Sequence, residues 1–143
     1  MAVTIPNGQL QYLFELEAAE VTTWGVALLG TGFTPNADTH EFMDDISAEL
    51  SGNGYARKEL ILATGSPVQD NANDKSYYDF QDVEFTGIIG SLTFQTIVVF
   101  DNTNGADSSR RIKSMIKLAS SQTVSDDFTL TIPSGGLFEI TQG

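Results

Sequence analysis

The sequence predicts a mainly β protein, an antiparallel β-sandwich or barrel of about seven strands with one or two short helices. After residue 21, short runs of β-branched and aromatic residues are separated by clusters of Gly, Asn, Asp, Ser and Pro, which is typical of strands joined by turns. Several runs also alternate apolar with polar residues, as a strand with one buried face does. The predicted strands are residues 22–29, 55–62, 82–86, 91–100, 112–118, 128–132 and 137–141.

The N-terminal segment predicts either a short amphipathic helix over residues 7–20 or an extended arm. Apolar side chains recur near helical spacing behind a favourable N-cap, Asn7. Chain termini are also the segments least committed to a core, so an arm that docks on a neighbour fits equally well. The apolar positions of the helical pattern are Leu10, Leu13, Phe14 and Leu16.

The fourth predicted strand changes from alternation to a continuous apolar run at residues 97–100, which indicates a central strand buried on both faces. Residues 101–109 are predicted to be the loop to an antiparallel neighbour. The most polar stretch, residues 66–76, is predicted to be a long exposed loop.

A second short helix is predicted near residue 40. Asp38 and Thr39 are favourable N-caps, and Glu41 falls near the third helical position of a capping box. The residues expected to face the core from this helix are Phe42, Met43 and Ile46.

The 143 residues predict one domain over 1–143, with residues 1–20 as the helix or docking arm and residues 22–143 as the β-rich core. There is no Cys, which excludes disulfides, thiolate metal sites and Cys nucleophiles. The first ten residues carry neither the basic nor the apolar stretch of a signal peptide, so we expect the protein to be made in a cytoplasm.

The strongly acidic composition limits the partners that the chain is expected to bind. Nineteen acidic residues against seven basic ones give a formal net charge of −12. Phosphate binding needs clustered Lys and Arg, so neither nucleic acid nor an anionic membrane is an expected partner.

The sequence offers few residues for catalysis. His40 is the sole His, and we expect a structural or surface role because no GxSxG elbow accompanies it. Glycoside hydrolysis would need a pair of carboxylates that face each other. Adjacent acids such as Asp126 and Asp127 point in different directions in regular structure, so they do not form such a pair. We therefore predict that the protein is not an enzyme and needs no cofactor.

One loop raises the question of calcium. Asp101, Asn104 and Asp107 place hard oxygen ligands close together in the sequence, although Thr103 and Gly105 break the usual calcium-loop pattern. No metal site is predicted beyond these three candidates.

Basic residues gather at Arg110, Arg111, Lys113 and Lys117. Such a patch could meet an acidic surface on another protein or on another copy of this chain. It could equally protect an edge strand from unwanted pairing. Both interpretations stay open.

Aromatic residues at Tyr77, Tyr78 and Phe80 could form a platform for sugar stacking or pack a core edge. Trp24, at the start of a strand, is expected in the core. A sugar platform would require Trp24, Tyr77 or Tyr78 to be exposed on a flat face.

Residues 26–60 contain four motifs in order, namely a VALL strand, an aromatic-Thr-Pro turn, an Asp-Thr-His helix start and a Glu-x-Ser-Gly-x-Gly-Tyr segment. They lie at residues 26–29, 33–35, 38–40 and 49–55, and further similarity follows at residues 80–85, 98–102 and 128–141. This pattern resembles a family of small virion structural proteins of tailed bacteriophages.

The resemblance implies a capsid decoration or cement protein on the outer surface of the virion. Such a protein binds the major capsid protein, stabilises the DNA-filled head, and would form a homotrimer at three-fold or quasi-three-fold positions. The expected contacts are Ile5, Leu10, Tyr12 and Phe14, then the turn Gly30, Thr31, Gly32 and Phe33, with Arg110 and Arg111 as electrostatic partners. The alternatives are a tail, neck or baseplate component and a carbohydrate-binding module on the virion surface.

Overall fold

Antiparallel strands make up most of the computed structural model, which describes residues 7–133 and 138–141. Side chains are described for Tyr12 and for all residues from Glu15 to Pro133. The mainly β class is confirmed. The elements are α1 Asn7–Glu20, β1 Trp24–Leu29, β2 Lys58–Leu60, β3 Val68–Asp70, β4 Lys75–Tyr78, β5 Val83–Phe85, β6 Leu92–Asp101, β7 Ile112–Val124, β8 Phe128–Leu130 and β9 Phe138–Thr141.

The described strands form three antiparallel sheets. The four-stranded sheet has the order β2-β1-β6-β7, and the smaller sheets have the orders β3-β4-β9 and β5-β8. Strand β6 lies at the centre of the large sheet, where Val99 pairs with Val26 of β1 and Ile97 pairs with Ile116 of β7. No barrel closes among these strands, and the arrangement is sandwich-like.

The central strands are buried on both faces, as the continuous apolar run predicts. One face carries Val26, Ile97 and Val99 and packs against side chains from β4, β5 and β8. The opposite face, which includes Val98 and Phe100, is covered by residues of the segment between β1 and β2. Each face therefore buries its own apolar cluster.

Strand β7 is longer than predicted. It continues past residue 118 to Val124, and residues 122–124 pair with the start of β6 after an irregularity in the register. Residues 119–123 are exposed and mostly polar, so their sequence lacks the apolar alternation of a half-buried strand.

The prediction of a long loop at residues 66–76 is wrong, because most of this stretch belongs to a hairpin. Strands β3 and β4 pair with Val68 opposite Tyr77 and Asp70 opposite Lys75. The Asp70 carboxylate accepts the backbone N–H groups of Ala72 and Asn73 at 3.1 and 3.3 Å, which fixes the turn. The polar residues that suggested a loop therefore form the tip of the hairpin.

The helix predicted near residue 40 is also wrong in extent. Only a single 3₁₀ turn forms, at Met43–Asp45. The Asp45 carboxylate accepts the N–H groups of Glu41 and Phe42 at 3.0 and 2.9 Å, so the acid that closes the turn is Asp45 rather than Glu41. Met43 is buried as predicted, whereas Ile46 and Phe42 are half-buried.

The N-terminal helix is confirmed over Asn7–Glu20, and its C-terminal end docks on the sheets. The Glu17 carboxylate pairs with Lys113 Nζ at 2.6 Å, and Ala18 packs against the apolar cluster. The alternative of an extended arm is thereby excluded for residues 7–20, whereas residues 1–6 lie outside the described range. Within that range, no helix is long and apolar enough to cross a membrane.

Candidate functional site

The expected contact residues of the N-terminal segment are only partly described. Ile5 lies outside the described residues, as do the side chains of Leu10 and Phe14 on α1. Tyr12 is 52% exposed and Leu16, which was not among the expected contacts, is 47% exposed. Because these two residues are four positions apart on a helix, they share one face. Tyr12 and Leu16 therefore place exposed apolar side chains on a helix whose C-terminal end docks on the sheets.

The turn at residues 30–33 is a surface feature except for its aromatic residue. Thr31 and Gly32 are exposed, and the half-buried Gly30 donates its N–H to the carbonyl of Ala48 at 2.8 Å. Phe33 is only 2% exposed, so its side chain is buried within the chain, and contact of this turn with a partner stays a prediction.

Phe33 instead closes the second apolar cluster. Its ring packs with Met43 and Phe100 and stacks on the His40 ring at 4.9 Å between centroids. His40 Nδ1 accepts the N–H of Asn36 at 3.1 Å. The sole His thus holds the turn that carries Phe33, a structural role as expected.

Arg57 is the centre of a polar cluster that the sequence did not reveal, which we call the Arg57 hub (Glu49, Tyr55, Arg57, Asp107 and Arg110). The guanidinium donates to Glu49 at 2.7 and 2.8 Å and to Asp107 at 2.7 and 2.9 Å. These bonds raise the pKa of Arg57 further above its usual range. The same guanidinium groups of Arg57 and Arg110 hold the pKa of Asp107 at about 2.

Tyr55 joins the hub to the central sheet. Its hydroxyl accepts the N–H of Leu28 at 2.9 Å and donates to Glu49 Oε1 at 3.2 Å. Burial is the main reason that the pKa of Tyr55 lies above its usual range. The one sequence signal for this contact was the Glu-x-Ser-Gly-x-Gly-Tyr motif, whose ends are Glu49 and Tyr55.

The two expected electrostatic partners both form contacts within the chain. Arg110 pairs with Asp107 at 2.9 Å, and its guanidinium lies 6.0 Å from the centroid of the Phe100 ring. Arg111 pairs with Glu41 and lies 4.7 Å above the ring of Phe42. Arg111 keeps half of its side chain exposed, so it is the more accessible of the two.

The basic cluster lies on and beside a sheet edge, since β7 is the last strand of its sheet. Lys113 pairs with Glu17, and Lys117 donates to the carbonyl of Phe33 at 3.2 Å. These cations fasten α1 and the loop after β1 to β7. Their contact with an acidic partner stays a prediction.

Several oxygen atoms of the candidate calcium loop accept hydrogen bonds from protein groups. Asp101 Oδ1 accepts the N–H of Thr103 at 2.9 Å, and the backbone carbonyl of Asn104 accepts Arg110 Nε at 2.9 Å. The Asp107 carboxylate faces two guanidinium groups, which already supply the positive charge. Over residues 7–133 and 138–141, no three His, Asp or Glu side chains come together as a metal site would require.

The aromatic residues considered as a sugar platform are mostly internal. Trp24 is buried, as predicted, with its ring 5.2 Å from the ring of Tyr78 and 5.4 Å from that of Phe80. Tyr77 is half-buried, with the Lys75 ammonium 5.0 Å from its ring centroid. Trp24 and Tyr78 therefore present no flat face to a sugar.

Comparison with family models, with curated proteins and with solved structures finds no match for this chain in any of the three.

Proposed function

We propose that this chain is a structural protein of a bacteriophage virion, a capsid decoration protein that binds the outer surface of the major capsid lattice and stabilises the DNA-filled head. The observation that carries the proposal is the role of the motifs in residues 26–60. The VALL strand lies in the centre of the sheet, Phe33 stacks on His40, and Glu49 binds Tyr55 and Arg57. These motifs therefore build the fold, and their resemblance to motifs of virion structural proteins supports the proposal.

The charge of the chain supports a position on the outside of the head. A formal net charge of −12 repels the phosphates of packaged DNA, so an inner position would cost electrostatic free energy. Assembly onto the outer surface after synthesis in the host cytoplasm avoids this repulsion.

The exposed face of α1 is the proposed contact with the major capsid protein or with another copy. Tyr12 and Leu16 present apolar surface, while Glu17 and Ala18 anchor the same helix to the sheets. A helix that is already ordered loses little conformational entropy on docking. At about 25 cal/mol per Å² of buried apolar area, a modest contact repeated around three-fold positions would reinforce the shell.

Sedimentation with capsids tests this function. Purified protein is mixed with mature DNA-filled heads and with empty unexpanded shells, and the copies bound per major capsid subunit are counted. We expect saturable binding to mature heads, near one copy per subunit. Absence of binding, or only a handful of copies per particle, would overturn the capsid role and favour the tail, neck or baseplate.

A matched pair of variants tests the contact surface. Leu16→Asp places a charge on the exposed face of α1, and Ile89→Asp places the same charge on an exposed apolar residue of the loop between β5 and β6. Both positions are exposed, so both variants should fold. We expect Leu16→Asp to lose capsid binding and Ile89→Asp to retain it; equal binding by the two variants would refute the role of α1.

A further inference from the structure

Asparagine followed by glycine is the sequence in which a side-chain amide is most open to attack by the next backbone nitrogen, because glycine has no Cβ to hinder the approach. The chain contains three such pairs, at Asn7, Asn53 and Asn104. The side chain of Asn7 lies outside the described residues. Asn53 and Asn104 are both exposed, so exposure does not distinguish them.

Asn53 is restrained by the loop between β5 and β6. Its Nδ2 donates to the carbonyl of Ser91 at 2.9 Å, and its own carbonyl accepts the N–H of Ile89 at 3.1 Å. The next residue, Gly54, is packed so tightly that an added Cβ would lie 1.8 Å from the carbonyl oxygen of Gly87. Rotation of this pair toward a reactive geometry would break several contacts at once.

Asn104 has no such restraint. Among the described residues its side-chain amide makes no hydrogen bond, and only its backbone carbonyl is engaged, by Arg110 Nε. Gly105 is exposed, and a Cβ added there would meet nothing within 4 Å. The backbone nitrogen of Gly105 and the amide carbon of Asn104 are therefore free to approach each other.

We propose that Asn104 is a site of spontaneous deamidation, independent of the function proposed above. Hydroxide removes the proton from the Gly105 backbone nitrogen, which then forms a bond to Asn104 Cγ. The bond from Cγ to the side-chain nitrogen breaks, and that nitrogen takes a proton from water and leaves as ammonia, which regenerates hydroxide. Water then adds to either carbonyl of the resulting succinimide ring and opens it to aspartate or isoaspartate, so water is consumed and ammonia is released.

The modification would alter the Arg57 hub. In isoaspartate the backbone runs through Cβ and Cγ of residue 104 and is one carbon longer, and the main-chain carbonyl that Arg110 now binds becomes the free carboxylate. The new carboxylate also competes with Asp107 for the Arg110 guanidinium, which lies 2.9 Å from Asp107 Oδ1. The loop before β7 would therefore change both its charge and its anchoring.

Peptide mass spectrometry tests the site. The intact folded protein is incubated at neutral and at alkaline pH, then digested, and the acid form of each Asn-Gly peptide is quantified with isoaspartate labelling. We expect the Asn104 peptide to convert at least about tenfold faster than the Asn53 peptide, because Asn53 must first give up its hydrogen bonds. Conversion should rise with pH.

Two controls complete the test. Gly105→Ala should slow conversion at Asn104 and leave the rate at Asn53 unchanged. In denaturant the rates at Asn53 and Asn104 should converge, because only the folded structure separates them. Equal rates in the folded protein, or the same ratio in denaturant, would overturn the proposal.

Discussion

Arg57 and Asp107 are joined by two parallel hydrogen bonds, Nη1 to Oδ1 at 2.7 Å and Nη2 to Oδ2 at 2.9 Å. This bidentate geometry is the strong form of an arginine–carboxylate contact. Since the same guanidinium also binds Glu49 and lies 5.3 Å from the centroid of the Phe100 ring, one side chain connects two loops and the central sheet. The stability of this end of the molecule should therefore depend on Arg57.

Arg57→Met should lower the free energy of unfolding by about 2–3 kcal/mol, because it leaves the half-buried Glu49 carboxylate without its cation and leaves Asp107 with Arg110 alone. The matched control is Arg111→Met. The natural pair of Arg111 with Glu41 is more than half exposed, so its loss should lower the free energy of unfolding by at most about 1 kcal/mol. Urea unfolding of both variants measures the difference. Equal losses would contradict a special role for Arg57.

Stability should fall in acid partly through Asp107. Its pKa is about 2 in the folded protein, below its ordinary value of 3.8, so its contribution is present above the ordinary value and is lost as the pH falls toward 2. The Asp107 side chain is 37% exposed, so we expect only about 1 kcal/mol after allowance for solvent screening.

The variant Asp107→Asn isolates this contribution. It should be less stable than the natural protein at pH 7, and the difference should shrink between about pH 5 and pH 2. Asp126→Asn, at an exposed acid just after β7, should follow the natural protein throughout. Urea unfolding at several pH values measures both; a difference that does not change with pH would contradict the assignment.

Gly25→Ala should destabilise the central sheet by about 1–3 kcal/mol, the usual cost of overpacking. Gly25 lies opposite Phe100, and an added Cβ would lie 2.4 Å from the Phe100 ring. Gly32→Ala is the control, because a Cβ there meets nothing within 4 Å and should change stability by less than about 0.5 kcal/mol. Thermal unfolding compares the two, and similar melting temperatures would refute the close packing.

Tyr55→Phe should cost about 1–3 kcal/mol, because it leaves the buried N–H of Leu28 without the hydroxyl that accepts it at 2.9 Å. Tyr12→Phe removes a hydroxyl from an exposed ring and should be nearly neutral. Denaturant unfolding measures both, and hydrogen exchange at Leu28 reports the local effect. Unchanged protection of Leu28 in Tyr55→Phe would argue against this contact.

Local patterns in the sequence were sufficient for much of the fold. The buried strand containing Ile97 and the core position of Trp24 follow from local apolar patterns, which depend only on neighbours along the chain. For residues 7–20 the sequence left a helix and an extended arm open, and the structure has the helix. The hairpin of β3 and β4 was missed because its residues are polar, and its pairing with β9 joins segments far apart in the sequence.

The candidate site divides in the same way. Thr31 and Gly32 are small turn residues, and their exposure follows from that. The burial of Phe33 instead depends on His40, Met43 and Phe100, which surround it. Composition, charge and strand periodicity can be read from the sequence alone, and they were enough to predict the fold class and the exposed turn. The residues that contact Phe33, and the acids that pair with each Lys or Arg, depend on the tertiary structure. Many groups in the sequence could complement each of these side chains, and only folding brings particular ones within contact distance.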